Sequence, residues 1–218
     1  MKPSSIQSYL RFPLTHLLAN AGHVRVLRVL LGHGGPLSVS QLAADAGLSK
    51  RGARDVLESL VAQRAVAVLG PARGQLFAAA VEQPVVAALR QLFEVERAHW
   101  ESLQVKLREG LACEKHIRSA WLYGSVAHGT DGPRSDLDLA LAVEENAVEV
   151  SHQVRDAVQA LGDTLGVHIS PVVLTPHDLA KLAPTDAWWA DVVRDAKVLK
   201  GMTPAKEAAR CAKAAQSA

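Results

Sequence analysis

The chain has 218 residues, of which 49% are apolar, so it is long enough for one large domain or two small ones with buried cores. Its net charge is only +2, which excludes a uniformly basic or acidic protein. Residues 12–80 nevertheless carry seven Lys/Arg against three Asp/Glu, and residues 116–200 carry seven against twelve. A basic front and an acidic back indicate two modules with different partners.

Cysteine usage and hydropathy narrow the class of protein. Cys113 and Cys211 lie far apart with no CxxC spacing, so we expect neither a zinc site nor a disulfide framework. The N-terminus has Lys2 but no apolar segment, which predicts no secretory signal. No run approaches the roughly 18 apolar residues of a membrane-spanning helix. The chain is therefore predicted to be cytoplasmic, without a membrane partner.

Three helices are predicted near the front of the chain. Residues 21–31 place apolar side chains on one helical face, and a Gly/Pro-rich segment ends that helix. Ser38 and Gln41 have the spacing of a capping box at the start of a second helix. A third helix is predicted to begin at Ser49. Two β-rich segments, at 65–70 and 75–80, then flank a Pro-Gly turn.

This order of elements resembles the winged helix-turn-helix domains of small bacterial transcriptional regulators, and we assign it to residues 12–80. The resemblance implies that the third helix enters the major groove of duplex DNA and that the hairpin contacts the backbone. The residues predicted to contact DNA are cationic, because they neutralise phosphates: Lys50, Arg51, Arg54 and Arg73. Two alternatives stay open, a simple solvated face and a protein–protein module.

A long amphipathic helix is predicted next, since apolar residues recur at three- and four-residue steps over 83–111. We assign residues 81–115 to this linker helix. Two interpretations stay open. The helix either packs one domain on the other, or it forms the seam of a homodimer, as in two-fold regulators that bind paired half-sites.

The clearest chemical signal lies in the back half of the chain. A strand predicted over 118–123 ends at Gly124 and Ser125, which turn into a short helical stretch. Glycine allows close approach of the backbone to a ligand, and a helix N-terminus offers free N–H groups to an anion. This combination predicts a phosphate-binding turn.

Two aspartates begin the second predicted strand, 136–143. Asp136 and Asp138 point to the same face because residues i and i+2 of a strand share a side. Two adjacent carboxylates repel each other, so one takes up a proton unless a cation lies between them. Mg²⁺ prefers carboxylate and phosphate oxygens. A phosphate-binding turn beside such a strand predicts a nucleoside triphosphate site, where Mg²⁺ stabilises the leaving pyrophosphate.

These residues carry a second resemblance. The pattern Gly124-Ser125-x-x-x-Gly129 followed by Ser135-Asp136-Leu137-Asp138-Leu139 is similar to the GSxxxG…SDxDL signature of the DNA polymerase β-like nucleotidyltransferases. The closest similarity is to their minimal branch, which includes forms fused to an N-terminal winged helix.

The resemblance implies a small mixed sheet flanked by helices over residues 116–201, so the expected fold class is α+β. It implies nucleotide binding by Gly124, Ser125 and Ser135. It also implies one or two Mg²⁺ ions on the catalytic residues Asp136 and Asp138. Transfer of a nucleoside monophosphate would release pyrophosphate, and acceptors in the family include small molecules, nucleic acid ends and partner proteins.

One departure from the family pattern divides the functional hypotheses. Active members add a third carboxylate on the strand after the intervening helix, here 167–174, which contains no Asp or Glu. His168 is the one titratable group on it; histidine can act as a general base but is a poor Mg²⁺ ligand. The first hypothesis is a nucleotidyltransferase. The alternative is an inactive DNA-binding transcriptional regulator whose back module senses nucleotide or binds a protein partner.

A few further residues have weaker predictions. His128 and Arg134 are candidates for phosphate contacts. Thr175 and Asp178 have the spacing of a structural capping box. Trp188 and Trp189 are interpreted as a core pair rather than as a stacking surface for a base. The Ala/Lys-rich residues 202–218 are expected to form a disordered tail.

Overall fold

The computed structural model describes residues 8–216, and the chain divides into two compact units, Met1–His99 and Trp100–Ala218. The N-terminal unit holds five helices and three strands among these residues. They are α1 (Leu14–Leu17), α2 (Ala21–His33), β1 (Leu37–Ser38), α3 (Val39–Asp45), α4 (Lys50–Ala62), β2 (Val66–Leu69), β3 (Leu76–Ala79) and the first part of α5 (Pro84–Cys113).

Local capping explains where the helices of the N-terminal unit begin. Asn20 accepts a hydrogen bond from the backbone N–H of His23 and starts α2. Ser38 and Gln41 form the predicted capping box of α3, with both reciprocal bonds present. Ser49 accepts from the backbone N–H of Gly52 and starts α4. The predicted helices therefore begin within a residue of their expected positions.

The strands of the N-terminal unit form an antiparallel sheet in the order β1-β3-β2. The hairpin pairs Val66 with Ala79 and Leu69 with Leu76. Buried side chains of α2, α3, α4 and the hairpin share one core with the start of α5, including Leu27, Leu42, Leu57, Phe77 and Leu89. Three helices followed by a hairpin match the predicted order of elements; the assignment to a winged helix stays a prediction.

The C-terminal unit is a mixed α/β structure. It contains the rest of α5 and, in chain order, β4 (Ile117–Tyr123), α6 (Gly124–His128), β5 (Leu137–Val143), α7 (Val148–Leu165), β6 (Ile169–Leu174), α8 (Pro176–Lys181), α9 (Ala187–Asp195), β7 (Lys197–Lys200) and α10 (Pro204–Gln216). Its four strands have the order β6-β5-β4-β7, in which only β5 and β6 run parallel. The expected α+β fold with a mixed sheet is confirmed at this level.

Each face of the sheet buries a separate apolar cluster. One face packs against Leu107 and Leu111 of α5 and against the apolar stripe of α7. On the other face, Trp121 and Ala140 pack against residues of α8, α9 and α10. Asp138 shares this second face, because it lies two residues from Ala140 along β5. Among residues 8–216, no helix is long and apolar enough to cross a membrane.

The predicted disordered tail is wrong for the residues that the structure describes. Residues 204–216 form α10, and Pro204, Glu207 and Cys211 are buried along one side of it. Their spacing of three and four residues places them on a single helical stripe that packs on the unit. Ala and Lys are strong helix formers, which accounts for the helix once that stripe has a surface to bury. Residues 217 and 218 of the predicted tail lie outside the described residues.

A buried carboxylate fixes α10 to β4. Glu207 has no exposed surface. It accepts hydrogen bonds from Ser119 Oγ at 3.0 Å and from Arg210 Nε at 3.0 Å, and Arg118 Nε lies 3.4 Å away. Ser119 Oγ also accepts a bond from the backbone N–H of Met202. The charge is thus paired and hydrogen-bonded, which is the condition under which a protein tolerates a buried carboxylate.

Candidate functional site

The turn after β4 brings the backbone directly against a carboxylate. Gly124 has φ +74°, a left-handed conformation that favours glycine. A Cβ atom at this position would overlap Oδ2 of Asp138. The predicted phosphate-binding turn and the predicted metal-binding strand are therefore in contact, and only a glycine fits where they meet.

The short helix α6 follows this turn and ends at Gly129, which also has positive φ. The loop after it closes through the backbone N–H of Thr130, which donates to the carbonyl of Ser125. Within residues 8–216, the hydroxyl of Ser125 makes no hydrogen bond to another protein group. That hydroxyl remains available to a ligand at the start of α6.

Ser135 has a different role from Ser125 in the structure. Its Oγ accepts a hydrogen bond from the backbone N–H of Gly132 at 2.9 Å, which closes the loop before β5. The neighbouring Arg134 is exposed. The predicted nucleotide contact of Ser135 stays a prediction, and the visible contribution of this residue is to hold the loop.

The two aspartates occupy one face at the start of β5, as the alternation predicts. Leu137 and Leu139 between and beyond them are buried at 5% and 0% exposure, so Asp136 and Asp138 point the other way. Partial burial, and then the negative charge of Asp136, raise the pKa of Asp138. The mutual repulsion that a cation would relieve is thus present.

His168, immediately before β6, contacts one aspartate of this pair. Its Nδ1 lies 3.0 Å from Oδ1 of Asp136, and the imidazole is largely exposed. Ser170, two residues on, is the parallel-register partner of Asp138. The side chains beside the carboxylates here are therefore a histidine just before β6 and a serine within it, and residues 167–174 contain no Asp or Glu.

The carboxylates of Asp136 and Asp138 could hold a magnesium ion if a bound ligand supplied further oxygen atoms. Two carboxylates on one face are suitable oxygen donors. Among residues 8–216, however, no group of three or more His, Cys, Asp or Glu side chains is placed to hold a metal. Phosphate oxygens of a nucleotide would complete the coordination, so the side chains suit a Mg²⁺–nucleotide complex better than a free ion.

Sequence reasoning missed the partner of His128. Its Nε2 lies 3.2 Å from Oδ2 of Asp195 at the end of α9. Hydrogen bonding from Arg194, and to a lesser extent from His128, lowers the pKa of Asp195. His128 thus links α6 to α9, and this contact accounts for it without a phosphate. No sequence signal connects two residues so distant along the chain.

The two adjacent tryptophans have different environments. Trp189 is buried at 4% exposure and its ring lies 6.0 Å from that of Trp121, as expected for a core residue. Trp188 is only partly buried, and its ring contacts Tyr123 edge-on at 5.7 Å between centroids. The predicted core pair is confirmed for Trp189, whereas Trp188 packs against the same apolar cluster and stays partly exposed. Tyr123, the cross-strand partner of Asp138, was missed; its position immediately before Gly124 was the available signal.

The predicted DNA-contacting residues belong to the N-terminal unit. Lys50, Arg51 and Arg54 are exposed on the first turns of α4, and Arg73 is exposed in the turn between β2 and β3. Gly52 lies among them within α4. The four side chains are exposed, and their contact with DNA stays a prediction.

The first part of α5 contributes to an apolar groove of about 500 Å³ in the N-terminal unit. Leu92 and Val95 are exposed at 54% and 65%, and Arg28 and Glu96 form a two-bond ion pair at the groove. The predicted homodimer through this helix stays a prediction.

Comparison with known proteins adds a family for part of the chain. Residues 105–185 match the family model described as Polymerase beta, Nucleotidyltransferase, which covers less than half of the chain. The chain therefore contains a domain of this kind, as the motif suggested. The search of curated proteins finds no relative with significant similarity.

Solved structures that match part of the chain include toxin–antitoxin proteins. One, described as a toxin–antitoxin crystal structure with AMP-PNP, is 20% identical, with 52% of this chain and 87% of that chain covered and a TM-score of 0.38. Another, a mutant of the toxin–antitoxin MntA–HpeT, is also 20% identical, with 54% and 86% covered and a TM-score of 0.35. No functional conclusion follows from similarities this weak.

Proposed function

We propose that the C-terminal unit binds a Mg²⁺–nucleoside triphosphate and transfers its nucleoside monophosphate to an acceptor. The observation that carries this proposal is the contact between Gly124 at the start of α6 and the carboxylate of Asp138. It puts the backbone that suits a phosphate beside the pair that suits a magnesium ion. The family match over residues 105–185 supports the same chemistry.

Each residue has a definite part in this proposal. Gly124 and the hydroxyl of Ser125 would receive the phosphate oxygens. Asp136 and Asp138 would hold Mg²⁺, which neutralises charge on the triphosphate and on the leaving pyrophosphate. The bond that breaks joins the α-phosphorus to the oxygen shared with the β-phosphate, and the bond that forms joins the α-phosphorus to the acceptor oxygen. The acceptor hydroxyl gives its proton to solvent, and pyrophosphate leaves.

The test compares label transfer between matched variants. The protein is incubated with Mg²⁺, α-labelled ATP and candidate acceptors. We expect transfer that disappears in the double variant Asp136→Ala and Asp138→Ala, because the carboxylates hold the metal. Asp131→Asn, in the exposed loop before β5, removes one nearby negative charge and should retain transfer. Transfer that survives the double variant would contradict the proposal.

A second function is favoured by the side chains of β6. His168 just before β6 and Ser170 within it lie beside the aspartates, so this strand supplies no third carboxylate of the kind that the resemblance implies for active members. Under this alternative the protein is a DNA-binding regulator that senses nucleotide without turnover. Metal-dependent ATP binding without label transfer would support it. Absence of ATP binding in the intact protein would exclude both nucleotide roles.

We further propose that the N-terminal unit is a winged helix that binds duplex DNA through α4 and the β2–β3 turn. The exposed cations Lys50, Arg51, Arg54 and Arg73 support this proposal because they can displace counterions from phosphates. The expected result is duplex binding that weakens steeply as salt rises. Binding that is insensitive to salt would contradict it.

A further inference from the structure

An aromatic side chain lies directly beside the carboxylate pair. Tyr123 and Asp138 face each other across β4 and β5, so their side chains share one face of the sheet. Partial burial, and then the charge of Asp138, raise the pKa of Tyr123, which is consistent with this proximity. The phenol ring is therefore part of the wall of the candidate nucleotide site.

Trp188 extends this wall away from the carboxylates. Its ring meets Tyr123 edge-on, with 5.7 Å between the ring centroids and an interplanar angle of 84°. Asp186 caps α9 by accepting from the backbone N–H of Trp189, which fixes the start of the helix that carries both tryptophans. Trp188 thus holds a defined orientation while part of its surface stays exposed.

The other aromatic side chains of the C-terminal unit are less suited to contact a nucleotide. From residue 100 onward the sequence has five aromatics, and two of them, Trp121 and Trp189, are buried in the core. Trp100 lies on α5, which packs on the opposite face of the sheet. Tyr123 and Trp188 remain on the face of the aspartates.

We propose that Trp188, oriented by Tyr123, is the surface on which the base of the bound nucleotide stacks. This inference rests on the proposed nucleotide site and adds the residue that contacts the base. A triphosphate held beside Asp138 must place its base over neighbouring surface. On the β6 side that surface is polar, His168 and Ser170, whereas on the β4 side it is aromatic. Every base can stack on an aromatic ring, and purines offer a larger ring face than pyrimidines.

The experiment separates the base from the phosphates. Calorimetric titration measures the affinity for Mg²⁺–ATP and for Mg²⁺–tripolyphosphate, which has the phosphates without the base. We expect Trp188→Leu to weaken ATP binding on the order of tenfold and to leave tripolyphosphate binding unchanged. Trp188→Phe retains an aromatic ring and should recover most of the ATP affinity. Thermal melts of both variants establish that they fold.

The outcomes distinguish this inference from the proposed function. If the intact protein binds neither ligand, the nucleotide site itself is wrong. If it binds ATP and tripolyphosphate equally well, or if Trp188→Leu weakens both ligands alike, the site stands and the stacking role is overturned. A preference for ATP over CTP that shrinks in Trp188→Leu is the expected accompanying result.

Discussion

The candidate nucleotide site and the candidate DNA surface differ in how strictly each depends on a particular backbone conformation. In the C-terminal unit, a glycine at positive φ touches a carboxylate, and a side chain at that point would overlap it. In the N-terminal unit, four exposed cations lie on a helix start and a turn, and none of these four residues itself has a positive φ. A single substitution should therefore abolish nucleotide binding, whereas DNA binding should weaken gradually as the cations are removed one by one.

The same contrast applies to stability. The C-terminal unit holds a fully buried carboxylate with cationic and hydroxyl partners, whereas the N-terminal unit combines an apolar core with a buried histidine, His23, whose Nδ1 lies 3.1 Å from the carbonyl oxygen of His16. All four tryptophans lie at residue 100 or later, so intrinsic fluorescence reports on the C-terminal unit by itself. The two units can thus be perturbed and followed separately.

Replacing Glu207 should have the largest effect, which is a loss of stability. Glu207→Gln removes the charge that pairs with Arg118 and Arg210, and we expect it to lower the free energy of unfolding by about 3 kcal/mol. Urea unfolding followed by tryptophan fluorescence measures this. Glu144→Gln is the matched control, since Glu144 is an exposed partner of Arg118 at 3.9 Å and should change stability little. Equal effects of the two variants would contradict the assigned role of the buried carboxylate.

The next effect tests the contact between the turn and the carboxylate. Gly124→Ala should cost roughly 1–2 kcal/mol for its left-handed backbone, with an added cost for the overlap with Asp138. Affinity for Mg²⁺–ATP should fall at least tenfold, measured by calorimetry. Gly129→Ala has the same backbone cost, but no atom lies within 4 Å of its Cβ, so nucleotide binding should persist. Similar nucleotide affinities in both variants would contradict a special role for the contact between Gly124 and Asp138.

The third effect concerns the DNA surface. Replacing Lys50, Arg51 and Arg54 by Ala should reduce the slope of log affinity against log salt by about 2.7, at about 0.9 per phosphate contact. Fluorescence anisotropy with a labelled duplex measures this slope. The control removes three exposed lysines of the C-terminal unit, Lys115, Lys181 and Lys206. A control that lowers the slope as much would show that the charge effect is not localised to α4.

The smallest effect is at the cap of α8. Asp178 accepts hydrogen bonds from the backbone N–H and hydroxyl of Thr175. Partial burial tends to raise the pKa of Asp178, but the bonds from Thr175 outweigh it and the pKa is lowered. A carboxyl group whose pKa is lower in the folded state stabilises the fold at pH values above its unfolded-state pKa. This stabilisation is lost as the pH falls through the folded-state pKa. Asp178→Ala should therefore cost about 1 kcal/mol at pH 7 and progressively less below about pH 4. A cost that is independent of pH would contradict this.

Local signals account for most of what the sequence predicted well. The capping boxes at Ser38 and Thr175 depend on residues three apart, and both are present. The alternation of Asp136, Leu137 and Asp138 likewise depends on neighbours, and it placed both carboxylates on one face. Strand boundaries were less accurate: β5 begins at Leu137 rather than 136, and β6 at Ile169 rather than 167.

Contacts between distant segments account for what the sequence could not predict. Glu207 meets Ser119 across 88 positions, and Lys200 donates to the carbonyl of Leu111 across 89 positions. Neither pair has a spacing that a sequence pattern could reveal. The helix α10 was missed because its composition suggested disorder, whereas its buried stripe becomes favourable only against the rest of the unit.

The contacts between α10 and β4 determine how short an expressed fragment of the C-terminal unit can be. The family match ends at residue 185, and β7 ends at Lys200, so either position looks like a natural place to stop an expressed fragment. A fragment cut there would keep Gly124, Asp136 and Asp138. It would nevertheless lose the acidic partner of Ser119 and Arg118 and uncover apolar surface beneath the missing helix. We expect such fragments to be insoluble, and an expressed C-terminal unit should extend past Cys211, the last buried residue of α10.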